Sequence, residues 1–296
     1  MIILQDFSFG NFRSFKEIQT LSLSKAPLTS AKDMALEPTH TFNYKDSAFL
    51  KTKAIYGANA SGKSNVVKAL DTFLKIVSDS VKDNKVLSLM NSFVSTETIN
   101  QSVFFQMIFW IDEVRYRYGF EVKKGEITSE WLYGKEVKQE LCYFIREDHA
   151  ITEIDKTNFA EGVVYMNLTQ QGEDSDEMLL PTNLFLTVLA SFGFGKISKR
   201  IISNLSSINI ISGLSNPSMM SYAKEALGDA RKKAFIINML KKGDTSISDL
   251  ELIELVEGID FEKQKKSLLL VSKKDFLGDS SHRTFSFEKY ESEGTR

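Results

Sequence analysis

The chain holds one cysteine, Cys142, and three histidines in 296 residues. A single thiol builds neither a disulfide framework nor a cysteine zinc cluster, and three scattered histidines do not complete a conventional zinc site. A reducing compartment fits this usage, and we expect a cytoplasmic protein. Charge of one sign is also missing. Lys and Arg total 37 against 39 Asp and Glu, a formal charge of -2, so the surface as a whole attracts neither nucleic acid nor anionic lipid. Any nucleic-acid contact needs a local patch. There is no long hydrophobic run. The opening Met-Ile-Ile-Leu meets Asp6 too soon for the apolar stretch of a signal peptide. The longest apolar segment, 184–195, is interrupted by Thr187, Ser191 and glycines, and is well short of the ~20 residues that span a bilayer. No membrane partner is expected. What remains is ordinary: 42% hydrophobic and 26% charged residues describe a chain that folds, as one elaborate domain or two simpler ones.

Phe7, Phe9 and Phe12 lie near alternation, and Leu21-Ser22-Leu23 follows a turn-like Arg-Ser-Phe-Lys, which predicts a hairpin. Residues 27–46 read as a loop. A short run, Ala54-Ile55-Tyr56, reads as a strand leading into a glycine loop. Val66, Val67, Leu70, Phe73, Leu74 and Val77 then recur at helical spacing. Segments 103–110, 114–122, 127–133 and 141–145 are rich in aromatic and β-branched residues, with breaks at Asp112-Glu113, Lys124-Gly125 and Gly134, and predict an antiparallel β lobe. Past a polar stretch at 170–177, helices are expected over 181–191, 197–209 and 221–242, with strands returning at 268–271 and 284–287. No internal repeat is evident.

Between the expected strand and helix stands Gly57-Ala58-Asn59-Ala60-Ser61-Gly62-Lys63-Ser64, a full match to the Walker A pattern. Gly57 and Gly62 permit backbone conformations that turn successive N–H groups inward on phosphates. The following helix aims its positive end at the same point. Lys63 is placed to reach the β and γ phosphates and the Ser64 hydroxyl to ligate Mg²⁺. An accidental match arises roughly once per hundred chains of this size, and the strand-loop-helix context makes accident rarer still. ATP and Mg²⁺ are the expected ligands, with Lys63 and Ser64 carrying the chemistry.

Two readings compete for the acid that aligns metal and water. In a compact nucleotidase, Met107-Ile108-Phe109-Trp110-Ile111-Asp112-Glu113 would be the Walker B strand. The next residues, 114–122, alternate as an amphipathic strand, whereas a parallel core strand leads through a loop to a helix. Asp112-Glu113 therefore reads as a hairpin corner.

In the second reading the chain resembles the ABC-type ATPase heads related to SMC and RecF proteins, in particular stand-alone prokaryotic AAA family ATPases found beside nucleases in phage-defence loci. Phe9-Gly10-Asn11-Phe12-Arg13-Ser14-Phe15-Lys16 is similar to the Asn-Phe-Arg/Lys-Ser-Phe opening of those heads, and Tyr56 to Asn65 to their Gly-x-Asn-x-Ser-Gly-Lys-Ser-Asn loop. Glu291-Ser292-Glu293-Gly294-Thr295 resembles their signature motif. The resemblance implies an α/β fold: a P-loop NTPase of the ABC-head type with an antiparallel β lobe and an inserted helical lobe. The expected division is 1–100 for the first part of the head, 101–177 for the β lobe, 178–250 for the helical lobe and 251–296 for the return to the head. By the same resemblance Asn65 and Arg13 join the nucleotide site, and Ser292 and Gly294 reach the γ phosphate of a partner's ATP. It also implies a homodimer or larger oligomer that closes on ATP and gates an effector, such as a nuclease in antiviral defence.

The strand ending in Asp-Glu, the D-loop and the switch histidine of that family would follow the signature, and this sequence stops at Arg296. A fragment, one half of a split gene and a truncated pseudo-ATPase all stay open, as does an ATP sensor that does not hydrolyse. Gln101, Gln106, Gln170 and Gln171 are equal candidates for the Q-loop residue. Arg231-Lys232-Lys233 reads as the wet face of a helix, with nucleic-acid contact the alternative. Trp110, Tyr116, Tyr118 and Trp131 sit in alternating strands and read as lobe packing.

Overall fold

The computed structural model describes residues 1–28, 30–83, 85–94, 100–136, 139–169, 179–211, 217–243, 246–257, 265–276 and 279–290. They fall into two compact units, Met1–Ile210 and Ile211–Arg296. The first contains β1 (Ile2–Gly10), β2 (Gln19–Ser22), α1 (Ala31–His40), β3 (Thr41–Tyr44), β4 (Ser47–Leu50), α2 (Lys63–Asp79), β5 (Val103–Ile111), β6 (Val114–Lys123), β7 (Glu126–Lys135), β8 (Leu141–Glu147), β9 (Ala150–Ile154), α3 (Ala160–Thr169), α4 (Phe185–Ser191) and α5 (Lys196–Leu205). The second contains α6 (Pro217–Ala226), α7 (Ala230–Lys242), β10 (Ile247–Glu257), β11 (Lys265–Phe276), β12 (Asp279–Ser286) and α8 (Phe287–Tyr290). The chain is thus a mixed α/β fold built on a large antiparallel sheet.

That sheet has seven strands in the order β2-β1-β5-β6-β7-β8-β9. Alternation decides its faces, because successive strand side chains point to opposite sides. Phe105, Met107 and Phe109 of β5, and Tyr116, Tyr118 and Phe120 of β6, enter the core with Phe7 and Phe9 of β1. α2 lays Ala69, Phe73, Ile76 and Val77 among them. Phe73 stacks on Phe120 with ring centroids 5.4 Å apart and meets Phe7 edge-on at 5.6 Å. Sheet and helix are one hydrophobic body, and this fixes the helix whose first residues are Lys63 and Ser64.

α4 is buried along most of its length, so its leading N–H groups need acceptors inside the protein. Glu130 supplies them, accepting from Phe185 N at 2.6 Å and Leu186 N at 3.0 Å, and also from Tyr118 Oη at 2.9 Å. The Arg146 guanidinium, equally buried, lies 3.9 Å from Glu130 and donates to the carbonyls of Asn183 at 2.6 Å and Asp148 at 2.8 Å. Burial pushes the Glu130 carboxyl up, outweighing the opposite pull of Arg146 and the N–H donors. Glu161 repeats the device at α5, accepting from Ile197 N and Ser198 N at 2.9 and 2.7 Å. α4 in turn holds the far end of α2: Thr187 Oγ1 donates to Val77 O at 2.8 Å, and Leu184 N donates to Ser80 Oγ at 3.3 Å.

Several expectations change. Residues 27–46 are not a plain loop, since they contain α1 and β3. The strand expected at 54–56 is absent: those residues have no strand pairing, and Ile55 and Tyr56 are exposed. Every strand pairing among the described residues is antiparallel, so this short run has no parallel neighbour to receive it. Gly134 lies inside β7 rather than at a break, because the Tyr143 ring crosses it; a Cβ there would sit 2.4 Å from that ring. The single helix expected over 221–242 is two, separated at Gly228-Asp229, where Asp229 caps α7 by accepting from Arg231 N and Lys232 N. β9, β10 and α3 are additions. Tyr116 and Tyr118 are core residues, whereas Trp110 and Trp131 occupy the opposite, half-buried sheet face.

Within the second unit β10, β11 and β12 form an antiparallel sheet. Ile247, Leu250, Leu270 and Phe287 are its core, with Ile236 and Leu240 of α7 packed on them. Among the described residues no helix is long and apolar enough to cross a membrane.

Candidate functional site

Residues 57–64 form a surface loop that runs into α2. Two residues set its shape. Ala60 has φ 62° and Gly62 has φ 93°, both left-handed, and left-handed residues between right-handed ones turn backbone N–H groups toward one point, an anion nest. A side chain at Gly62 would be strained and would also meet Phe15 Cζ at 2.8 Å and Ser14 Oγ at 2.9 Å. At Gly57 a Cβ would lie 2.9 Å from Ser61 Oγ. Gly62 is therefore required by both conformation and contact, whereas at Gly57 a side chain would only have to displace the exposed Ser61 hydroxyl.

Lys63 Nζ donates to the carbonyls of Gly57 and Ala58, each at 2.7 Å. The ammonium is thus already folded over the loop. The backbone N–H groups of residues 59, 60 and 62–64 carry no hydrogen bond among the described residues. Gly62 is the N-cap of α2, a 17-residue helix with no acidic residue in its first turn. Unpaired N–H groups, the helix's positive end and a lysine converge on one surface point, the arrangement that receives phosphate. The exposed Ser64 hydroxyl stands at the same helix start, where it could ligate Mg²⁺ beside the phosphates. The residues present fit a magnesium-bound nucleotide phosphate.

Asn65 follows the loop in α2, and Arg13 precedes Ser14 in the N-terminal turn. Asn65 Nδ2 donates to Ser14 Oγ at 2.9 Å. Arg13 is left-handed at φ 51°, lies 5.5 Å over the Phe12 ring and has a buried Nε without a hydrogen-bond partner. Ser292 and Gly294 lie outside the described residues, as do Gln170 and Gln171. Of the other glutamines, Gln106 accepts from Trp131 Nε1 at 3.1 Å and the Gln101 carbonyl accepts from Asn11 Nδ2 at 3.0 Å. The Gln106 side chain is thus committed to packing the sheet, whereas Gln101 lends the turn only its backbone carbonyl and has an exposed side chain.

Asp112 and Glu113 are the two-residue corner of the β5–β6 hairpin, with Ile111 opposite Val114 and Asp112 at φ 53°. Asp112 lies 3.8 Å from Arg200 and Glu113 pairs with Lys45. β1 runs antiparallel to β5, with Ile2 opposite Ile111 and Gly10 opposite Phe104. The corner therefore adjoins the start of β1, while the turn that touches the phosphate loop follows its end. The nine residues of β1 separate them, eight steps or roughly 26 Å at ~3.3 Å per residue. A Walker B role for these acids does not fit this geometry.

Residues 54–163 match the family described as AAA domain, putative AbiEii toxin, Type IV TA system. The match supports an ATPase of the AAA, P-loop type. It begins just before the phosphate loop and takes in α2 and β5 to β9. No curated protein and no solved structure matches the chain.

Sequence reasoning found the loop but missed what steadies it: Ser14 and Phe15 at one end of α2, Ser80 and Thr187 at the other. Ser14 and Phe15 stood within the recognised opening motif. Ser80 and Thr187 carry no local sequence signal.

Proposed function

We propose that the chain is the nucleotide-binding part of an ATPase head that takes up Mg-ATP at residues 57–64, closes on it as a homodimer or larger oligomer, and passes that closure to an effector. The observation that supports this reading best is the nest of free N–H groups at the start of α2 with Lys63 folded over it. Lys63 would neutralise the β and γ phosphates, Ser64 would ligate Mg²⁺, and Arg13 could add charge from the neighbouring turn. Bound Mg²⁺ would supply charge neutralisation between the terminal phosphates. Ser292 and Gly294 would act on the nucleotide of a second copy. A nuclease is the effector suggested by the resemblance to defence ATPases, and the family description, which names a toxin of a toxin–antitoxin system, is in keeping with such a role.

One observation favours a second reading. Among the described residues no carboxylate is hydrogen-bonded to the phosphate loop, and Asp112 and Glu113 stand far from it. A chain that binds ATP without turning it over, acting as a sensor, agrees with that arrangement. Phosphate release under saturating Mg-ATP separates the two. Turnover that depends on Lys63 supports the ATPase; tight binding without turnover supports the sensor. Sedimentation with a non-hydrolysable ATP analogue tests closure, which Ser292→Arg should abolish with single-site binding preserved. Dimerisation unchanged by that substitution would remove the motif from the account.

A further inference from the structure

We infer that Ser14 and Phe15 are positioning residues for the phosphate loop, tying its helix end to the antiparallel sheet while its leading end remains adjustable. This rests on the nucleotide reading above and names a part of the site to which no role is assigned. The two ends of the loop are held very differently. Residues 57–61 are exposed and are kept in place by the two Lys63 bonds and by Ser61 N donating to Ala58 O at 3.3 Å. The helix end is anchored from outside: Ser14 Oγ accepts from Asn65 Nδ2 at 2.9 Å, and the Phe15 ring occupies the space a side chain at Gly62 would need.

The anchor is itself rigid. Phe12 and Phe15 exchange backbone hydrogen bonds of 2.9 Å, and Asn11 N donates to Lys16 O at 3.1 Å. The Asn11 side chain donates to Gln101 O and Ser102 O at 3.0 and 3.3 Å and accepts from Phe93 N at 3.2 Å. Arg13 N donates to Asn91 O at 2.7 Å, and Phe15 packs edge-on against Phe9 at 5.1 Å. Asn11 and Arg13 are both left-handed, a conformation that asparagine adopts readily but that costs a residue such as arginine energy its surroundings must offset.

The division has a chemical consequence. When phosphate enters the nest, the Lys63 ammonium exchanges two carbonyls for phosphate oxygens, and residues 57 and 58 are released. The N–H groups of 62–64 must stay aimed at the phosphate during that exchange, and the Ser14–Asn65 bond keeps them there. Asn65 thus serves the site through Ser14 rather than through its own contact with nucleotide.

The test uses the full chain and the variants Ser14→Ala, Ser14→Thr, Asn65→Ala and the Ser14→Ala/Asn65→Ala pair. Mg-ATP affinity is measured by calorimetry, and amide hydrogen exchange at residues 65 and 66 is followed without nucleotide. Each alanine variant should weaken binding about five- to tenfold, the effect of one hydrogen bond. The double variant should be no weaker than either single one, because both remove the same contact. Ser14→Thr, which keeps the hydroxyl, should bind as the parent does. Exchange at 65 and 66 should quicken in Ser14→Ala with the melting temperature unchanged. Equal affinity of Ser14→Ala and the parent, additive losses in the double variant, or an affinity loss that follows a lowered melting temperature would overturn the role. A parent chain that does not bind Mg-ATP overturns the nucleotide reading and this role together; a parent that binds, with Ser14→Ala binding equally, overturns this role alone.

Discussion

Replacing Glu130 by glutamine keeps the shape of the side chain and removes one acceptor. Phe185 N addresses Oε2, whereas Leu186 N and Tyr118 Oη both address Oε1. With the amide oxygen at the Oε1 position, the Phe185 N–H faces an NH₂ donor. An orphaned buried donor costs about 1–3 kcal/mol. The change also removes the charge opposite Arg146. Arg146 retains the carbonyls of Asn183, Asp148 and, at 3.5 Å, Leu180, and burial outweighs its pull on this carboxyl, so the lost charge adds little net cost. About 1–3 kcal/mol in total is expected at neutral pH. Urea unfolding followed by tryptophan fluorescence suits the measurement, because both tryptophans, Trp110 and Trp131, lie in the sheet that Glu130 braces. The pH dependence has a definite sign. With the native pKa raised, the folded state holds this proton more readily than the unfolded chain. The resulting stability is complete below the unfolded carboxyl pKa of about 4.3 and is lost as pH rises through the native value. The gap between parent and variant should therefore narrow from mild acid toward neutrality. A cost below about 1 kcal/mol, or a gap that widens with pH, would refute the bracing role.

Phe73→Ala should cost about 3–5 kcal/mol, since it empties the space between α2 and the sheet; a midpoint shift equivalent to less than half of that would mean the helix is not seated as described. Cys142 should alkylate slowly at neutral pH, because burial and then Glu153 push its thiol up to about 12, and rapid labelling by iodoacetamide at pH 7 in the folded chain would contradict it. Asp112→Asn and Glu113→Gln, made separately, should leave Mg-ATP affinity within about twofold, at a distance where charges are screened. A large loss in either would restore the compact nucleotidase.

The glycine loop at 57–64 is legible as a Walker A pattern because that pattern is local: two glycines, a lysine and a serine at fixed spacing suffice. The strands from 103 to 145 were legible for a similar reason, since one sheet face is core and the alternation survives in the sequence. The hairpin corner at Asp112-Glu113 followed from the amphipathic strand after it. Long-range features were not visible. Glu130 reads as a surface acid in a strand, and only the placement of α4 across the sheet gives it two N–H groups to accept. Gly134 reads as a break because nothing nearby in sequence announces the Tyr143 ring. The helix pair at 217–242 was merged because Asp229 looks like any helical polar residue until its cap bonds are seen. The expectation at 54–56 erred in the opposite direction, since strand-forming residues pair only where a neighbouring strand is present.

Calorimetric titration of Mg-ATP into the parent chain and into Lys63→Ala bears most directly on the central claim. Lys63 faces the loop rather than the core, so the variant should keep its fold by circular dichroism. The parent should show saturable, magnesium-dependent binding, and the variant should bind about 10- to 100-fold more weakly, the contribution of a charge-assisted hydrogen bond to phosphate. Equal affinity in a folded Lys63→Ala protein would contradict the assignment of residues 57–64 as the nucleotide site.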